Sequence, residues 1–81
     1  MELKDTVKMM QSDDYKERFK AEYYQLKIRH QKLDERLRKW AEGKLPFTSV
    51  CSKGLLSEQL VYMEWYLRTL ERRAKIEDIE L

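Results

Sequence analysis

Aromatic and arginine side chains recur at helical spacing in the C-terminal part of the chain. Trp65, Arg68 and Arg72 are separated by three and four residues, so a helix places them on one face. An aromatic ring can stack on a nucleobase, and the guanidinium fork of arginine can hold a phosphate. Tyr62 and Tyr66 lie beside that face. The spacing therefore predicts a nucleotide-binding surface, and an oligomer interface rimmed by arginines is the alternative.

A second set of phosphate-binding candidates comes just before the same helix. Thr48, Ser49, Ser52 and Lys53 supply hydroxyl groups and an ammonium group there. Free backbone N–H groups and the helix dipole attract anions at a helix N-terminus. The segment does not match a Walker motif, and helix capping alone would explain its serines. Anion binding and simple capping both stay open for this segment.

Residues suited to catalysis or metal binding are scarce. His30 is the only histidine, and no nucleophile or orienting carboxylate stands at helical spacing to make it a general base. Cys51 is the only cysteine, which excludes an internal disulfide and a Cys/His zinc site. We therefore predict a protein that is not an enzyme, with no catalytic residue, no cofactor and no metal. We expect His30 and Cys51 to be structural.

The net charge of the chain is only +2, but it is distributed unevenly. Residues 15–44 contain ten Lys or Arg against five Asp or Glu, whereas residues 55–81 contain four against six. A basic helix can attract phosphates, although a solvated helix face is the simpler interpretation. Binding of duplex DNA is less favoured, because acidic residues lie near the basic stripe and no recognition element is evident. That stripe consists of Arg29, Lys32, Arg36 and Lys39.

The sequence also bears on where the protein works. No stretch approaches the roughly 18 apolar residues of a membrane span. The first residues lack the basic and apolar regions of a signal peptide. A lone thiol fits a reducing compartment. We therefore expect a cytoplasmic protein with no membrane partner.

Two largely apolar stripes predict a helical hairpin. From Phe19 to Trp40, and again from Leu56 to Ala74, the residues of the stripe recur at alternating steps of three and four. This is the pattern of a helix with one buried face. Gly43 and Pro46 should end the first helix. We predict one all-α domain over residues 1–81, an antiparallel two-helix hairpin with an arm at 2–10, a helix at 14–42, a hinge at 43–54 and a helix at 55–75.

Several large side chains fall outside these stripes. A chain of 81 residues has little left to cover them, and domains this small often depend on a partner. We therefore predict that the hairpin assembles into a helical homo-oligomer. The residues assigned to the interface are Val61, Tyr62, Trp65, Tyr66, Tyr24, Ile28 and His30.

Two segments resemble a family of small helical proteins encoded by tailed phages and prophages of gut bacteria. The first is Tyr15-Lys16-Glu17-Arg18-Phe19-Lys20-Ala21-Glu22-Tyr23 with the following Gln25-Leu26-Lys27-Ile28-Arg29. The second is Leu55-Leu56-x-x-Gln59-Leu60-x-x-Met63-x-x-Tyr66-Leu67-x-x-Leu70-x-x-Arg73. The resemblance covers about residues 15–81. More distantly, the chain is similar to phage sponges, which are oligomers that sequester the nucleotide signals of bacterial CBASS and Thoeris defence.

The resemblance implies an anti-defence protein that works in the cytoplasm of an infected bacterium. Its ligand would be a nucleotide second messenger, either a cyclic oligonucleotide or an ADP-ribose derivative, bound without cleavage between copies of the chain. The resemblance assigns no ligand residue. Two alternatives stay open, because the same aromatic residues can form a protein interface. One is a small inhibitor or adaptor that binds a host protein, and the other is a nucleic-acid-associated accessory protein.

Overall fold

The computed structural model describes residues 1–81 as helices joined by short connections, with no β-strand. A 3-10 turn at Leu3–Thr6 leads directly into the short helix α1 at Val7–Met10. The two long helices are α2 at Tyr15–Ala41 and α3 at Lys53–Ile76. The all-α class predicted from the sequence is confirmed.

The two long helices pack antiparallel along the stripes that the sequence indicates. Burial of each large apolar side chain contributes about 1.5–3 kcal/mol, so these stripes are the main source of hairpin stability. One buried cluster joins the start of α2 to the end of α3 and consists of Phe19, Tyr23, Leu70, Ala74 and Ile79. A second lies at the hinge end and consists of Leu33, Leu37 and Leu56.

Helix α2 has a side-chain cap at its start and a glycine at its end. The carboxylate of Asp14 accepts a 2.9 Å hydrogen bond from the backbone N–H of Lys16. Beyond the last turn, Gly43 adopts a left-handed φ of 72°. Its N–H donates to the carbonyl of Trp40, and the N–H of Lys44 donates to that of Lys39. This pair of bonds is a Schellman motif, which needs a residue tolerant of positive φ.

Helix α3 begins at Lys53 rather than at the predicted residue 55. The reason is the position of the cap: the hydroxyl of Ser52 accepts a 3.1 Å hydrogen bond from the backbone N–H of Leu55. At the other end Asp78 has a φ of 56°, and the N–H of Ile79 donates to the carbonyl of Ala74. The C-terminal tail thus folds back and buries Ile79 against the first core cluster.

The N-terminal arm differs from the prediction in its first turn and in the face that it buries. Leu3, Val7 and Met10 recur at steps of four and three, which is the spacing of one apolar helix face, but the first turn is 3-10 and both Val7 and Met10 are exposed. Thr6 is the fully buried residue. Its hydroxyl donates to the carbonyl of Leu3 and accepts from the side chain of Gln25 in α2. This polar bond holds the arm against one flank of α2.

Candidate functional site

The outer face of α3 carries the aromatic and arginine residues that the sequence singled out. Trp65 is 68% exposed and Val61 is 50% exposed. Arg68 and Arg72 are also exposed. Helical spacing turns these four away from the buried stripe that faces α2, while Tyr62 and Tyr66 lie on one flank. The hairpin itself therefore leaves the whole surface uncovered.

Three polar groups on this surface already have carboxylate partners. The hydroxyl of Tyr62 donates a 2.7 Å hydrogen bond to Glu58, and that of Tyr66 donates to Glu22 of α2. Each bond raises the pKa of its tyrosine above the ordinary value of 10.0. The guanidinium of Arg68 lies 3.0 Å from Glu64. These carboxylates reduce the positive potential that a phosphate would meet on α3.

Arg72 is one of two cations of this face, with Lys75, that have no ion pair. It lines a shallow concavity of about 280 Å³ together with Arg68, Glu71 and Lys75. None of the hydrogen bonds or ion pairs in the structure engages Arg72, in contrast to Arg68. Among the residues predicted on α3, Arg72 and the ring of Trp65 are therefore the ones that remain free for a ligand.

The hinge residues do not join the α3 surface. The hydroxyl of Ser52 is used as the helix cap, and that of Ser49 accepts from Arg36 and donates to the carbonyl of Cys51. Thr48 and Lys53 are exposed. Because Ser52 precedes Trp65 by 13 positions and Arg72 by 20, it lies roughly 20 Å and 30 Å from them along the helix. Within one chain the hinge residues and the α3 surface form two separate sites.

The predicted interface residues on α2 have different surroundings. Ile28 is buried within the chain, on the flank that also carries Gln25, so it offers nothing to a second copy. Tyr24 is half-buried and meets Tyr23 edge to face at 5.3 Å between ring centroids. His30 is half-buried, and its Nε2 atom is buried without a hydrogen-bond partner. The exposed part of the predicted interface is therefore its α3 part.

The basic stripe on α2, for which phosphate attraction and a solvated helix face were both open, lines a groove. Arg29, Lys32, Arg36 and Lys39 line the flank of α2 between the arm and the hinge. The guanidinium carbon of Arg36 lies 4.9 Å from the centroid of the Phe47 ring. Its terminal nitrogen also donates to Ser49 at 3.2 Å. The hydroxyl of Ser49 in the hinge thus contacts the basic stripe of α2 and not the aromatic face of α3.

Two further features that would bear on function are a metal site and a membrane-spanning helix. No group of three or more His, Cys, Asp or Glu side chains is placed to hold a metal ion. None of the helices combines the length and the apolar character that crossing a membrane requires.

The fold and these surfaces define a small helical-hairpin protein built for binding. The family model described as Sequestin matches residues 13–76, which is most of the chain, including both long helices up to the last turn of α3. The chain belongs to the Sequestin family. The family name denotes sequestration and so indicates binding rather than catalysis, in agreement with the resemblance to phage sponges. No curated protein and no solved structure matches the chain.

Proposed function

We propose that this protein captures a nucleotide immune signal and holds it without cleaving it, as a phage-type anti-defence protein in the cytoplasm of an infected bacterium. The signal is a cyclic oligonucleotide or an ADP-ribose derivative. The observation that carries the proposal is the uncovered α3 face, which presents the free ring of Trp65 and, about two helical turns further on, the unpaired Arg72. Membership of the Sequestin family supports the capture of a ligand.

The proposal includes assembly of the hairpin with further copies of itself. The chain exposes 6189 Å², whereas a folded monomer of 10.0 kDa exposes about 5,200 Å² on average. The excess is on the order of the 800 Å² that each partner buries in a standard interface. A second copy is a suitable occupant because residues 15–44 are net basic and residues 55–81 are net acidic. Opposite charges on the two parts of the chain favour contact between copies.

A ligand screen tests the function directly. Thermal unfolding is followed with cyclic di-AMP, cyclic di-GMP, a cyclic trinucleotide and cyclic ADP-ribose isomers. A true ligand at 100 times its dissociation constant should stabilise the fold by about 2.7 kcal/mol. After heating, chromatography should recover the ligand intact. A panel without any shift, or recovery of a linearised product, contradicts the proposal.

Substitutions then test the α3 face. Arg72→Ala should weaken binding of the nucleotide found in the screen without changing the oligomeric state. Arg38→Ala is the matched control, since Arg38 is a 75% exposed arginine on α2, away from both candidate sites. Equal affinities for the two variants would remove Arg72 from the ligand site.

A protein-interaction module is the second candidate. The observation in its favour is that Tyr62, Tyr66 and Arg68 already bond carboxylates of this chain, which leaves a largely apolar surface. Such a surface suits a protein partner better than a phosphate. The adaptor reading is supported if no nucleotide shifts the melting curve while one defined host protein binds with micromolar or better affinity and Trp65→Ala abolishes that binding.

A further inference from the structure

The basic groove on α2 has walls supplied by three other parts of the chain. Leu3 of the arm closes one end, and Leu45, Pro46 and Phe47 of the hinge close the other. Gln59 and Met63 of α3 form part of the floor. The groove is thus a built feature of the tertiary structure, because residues from four segments define it.

The cations of this groove lack ion pairs, in contrast to several arginines elsewhere on the hairpin. Arg38, Arg68 and Arg73 each pair with a carboxylate four residues away. None of the four groove cations, which are Arg29, Lys32, Arg36 and Lys39, forms an ion pair. A cluster of like charges without partners repels itself in the folded chain and attracts anions.

Arg36 is the central residue of the cluster and is held in place. Its guanidinium lies over the ring of Phe47, and one terminal nitrogen donates to Ser49. Its Nε atom is buried and has no hydrogen-bond partner. The terminal nitrogens of the guanidinium, rather than this buried atom, are the donors that a phosphate in the groove can reach. The stacked geometry also leaves the far face of Phe47, which is 51% exposed, open for a second ring.

The groove consists of two concavities that share Lys32 and Arg36. One has a volume of about 290 Å³ and an apolar part formed by Leu3, Leu33 and Met63. The other has a volume of about 250 Å³ and an apolar part formed by Leu45, Pro46 and Phe47. The shared boundary is therefore cationic, whereas each side offers apolar contact. Glu35 borders the second concavity and can accept a hydrogen bond from an amino or hydroxyl group.

We infer that this groove binds a dinucleotide-like ligand, with its phosphates on Lys32 and Arg36 and a ring-bearing end in each concavity. The inference rests on one part of the proposed function, the capture of a nucleotide, and places the phosphate contacts on α2 as an alternative to α3. Arginine and lysine bind phosphate by charge-assisted hydrogen bonds, and Phe47 supplies a stacking surface for a base. A mononucleotide fills only one concavity, and pyrophosphate fills neither.

The first experiment compares ligands of different length on the native protein. Calorimetry is run with ADP-ribose, NAD, cyclic di-AMP, AMP and inorganic pyrophosphate. At least one two-ended compound should bind about tenfold or more tightly than AMP and pyrophosphate, a difference of ~1.4 kcal/mol. Its affinity should fall as salt rises, because the contact is ionic. Equal affinity for AMP and the two-ended compounds overturns the two-concavity assignment.

The second experiment locates the phosphate contact. Lys32→Gln removes a charge from an exposed side chain that forms no hydrogen bond or ion pair within the chain, so the fold should be kept. Arg36→Lys keeps the charge but removes the planar fork. Both variants should lower affinity for the two-ended ligand by about tenfold or more, as expected when a charge-assisted hydrogen bond is lost. Arg38→Ala should leave it unchanged.

The outcomes separate this inference from the proposed function. If a two-ended nucleotide binds and Arg72→Ala weakens it while Lys32→Gln does not, capture of a nucleotide stands and the groove assignment is wrong. If Lys32→Gln and Arg36→Lys weaken it while Arg72→Ala does not, the groove assignment stands. If none of the compounds binds, the proposed function fails and the groove assignment fails with it.

Discussion

The hydroxyl of Tyr23 in α2 donates a 2.8 Å hydrogen bond to the carboxylate of Glu71 in α3. This bond crosses the interface between the long helices beside the first core cluster. Burial of the phenol, and then the bond to Glu71, raises the pKa of Tyr23 to about 12. The hairpin therefore favours the neutral phenol at a point where the core meets solvent.

This shift predicts a loss of stability in alkali. The raised pKa means that Tyr23 contributes stability fully below the ordinary value of 10.0 and loses that contribution as pH rises towards about 12. Tyr23→Phe should cost about 0.5–1.5 kcal/mol at neutral pH, because one hydrogen bond is lost. It should also flatten the fall in the unfolding midpoint above pH 10.

Denaturant unfolding at several pH values between 8 and 11.5 measures that difference. Tyr24→Phe serves as control, because Tyr24 is a half-buried neighbour of Tyr23 whose hydroxyl forms no hydrogen bond within the chain. An alkaline slope in Tyr23→Phe as steep as that of the unchanged protein would refute the assignment.

A second prediction concerns the titration of Glu77, which forms a clasp between the start of α2 and the end of α3. Glu77 accepts a 2.6 Å bond from the hydroxyl of Tyr15 and a 3.1 Å bond from Arg73. The Tyr15 bond, followed by that from Arg73, lowers the pKa of Glu77 below its ordinary value of 4.5. Its contribution to stability is thus present above about pH 4.5 and is lost as pH falls through the lowered pKa.

Glu77→Gln should remove that dependence on acid. The variant is expected to be less stable at pH 7 and to lose less stability than the unchanged protein between pH 6 and pH 3. Glu80→Gln is the matched control, since Glu80 lies three residues further on and forms no hydrogen bond or ion pair. Parallel stability curves for the unchanged protein and Glu77→Gln would show that the clasp does not couple to folding.

The hairpin could be predicted because the residues that define its helices and their ends are neighbours in the sequence. Alternating steps of three and four mark the buried faces from Phe19 to Trp40 and from Leu56 to Ala74, and Gly43 marks the end of α2. The turn at Asp78 could not be predicted in this way, because aspartate adopts the left-handed region far less often than glycine. The arm was misread because Thr6 is buried through two hydrogen bonds, which apolar periodicity does not report.

The groove could not be derived from spacing alone. The basic stripe of α2 is visible in the sequence, but its walls come from Leu3 and Phe47, which only the folded chain brings to Arg36. The same limit applies to the α3 face. Its exposure was expected, whereas the partners that Glu22 and Glu64 provide to Tyr66 and Arg68 depend on particular rotamers and contacts.

The left-handed residue after α3 is Asp78, whereas the one after α2 is Gly43. Substitutions at these two positions should therefore change stability in opposite directions. Asp78 holds a φ of 56°, and its side chain forms no hydrogen bond or ion pair. Asp78→Gly should therefore stabilise the fold by roughly 0.5–1 kcal/mol, through relief of backbone strain and removal of a negative charge near a helix C-terminus.

Gly43→Ala is the counterpart at the end of α2. Gly43 has a φ of 72° and open space where a Cβ would lie, so the cost is purely conformational, about 1–2 kcal/mol. Differential scanning calorimetry should show a higher unfolding midpoint for Asp78→Gly and a lower one for Gly43→Ala. A lower midpoint for Asp78→Gly would mean that the aspartate side chain stabilises this turn.

Trp65 should be the main contact when the hairpin assembles. It is 68% exposed at the centre of an uncovered face, and tryptophan in such a position commonly forms an interface hot spot. Trp65→Ala should weaken association by roughly 2–4 kcal/mol, while the circular dichroism of the hairpin stays unchanged. Val50→Ala is the control, because Val50 is fully exposed in the hinge and outside this face. Sedimentation equilibrium between 1 and 100 μM measures both variants, and a monomer of 10.0 kDa for the unchanged protein throughout that range would rule out assembly through α3.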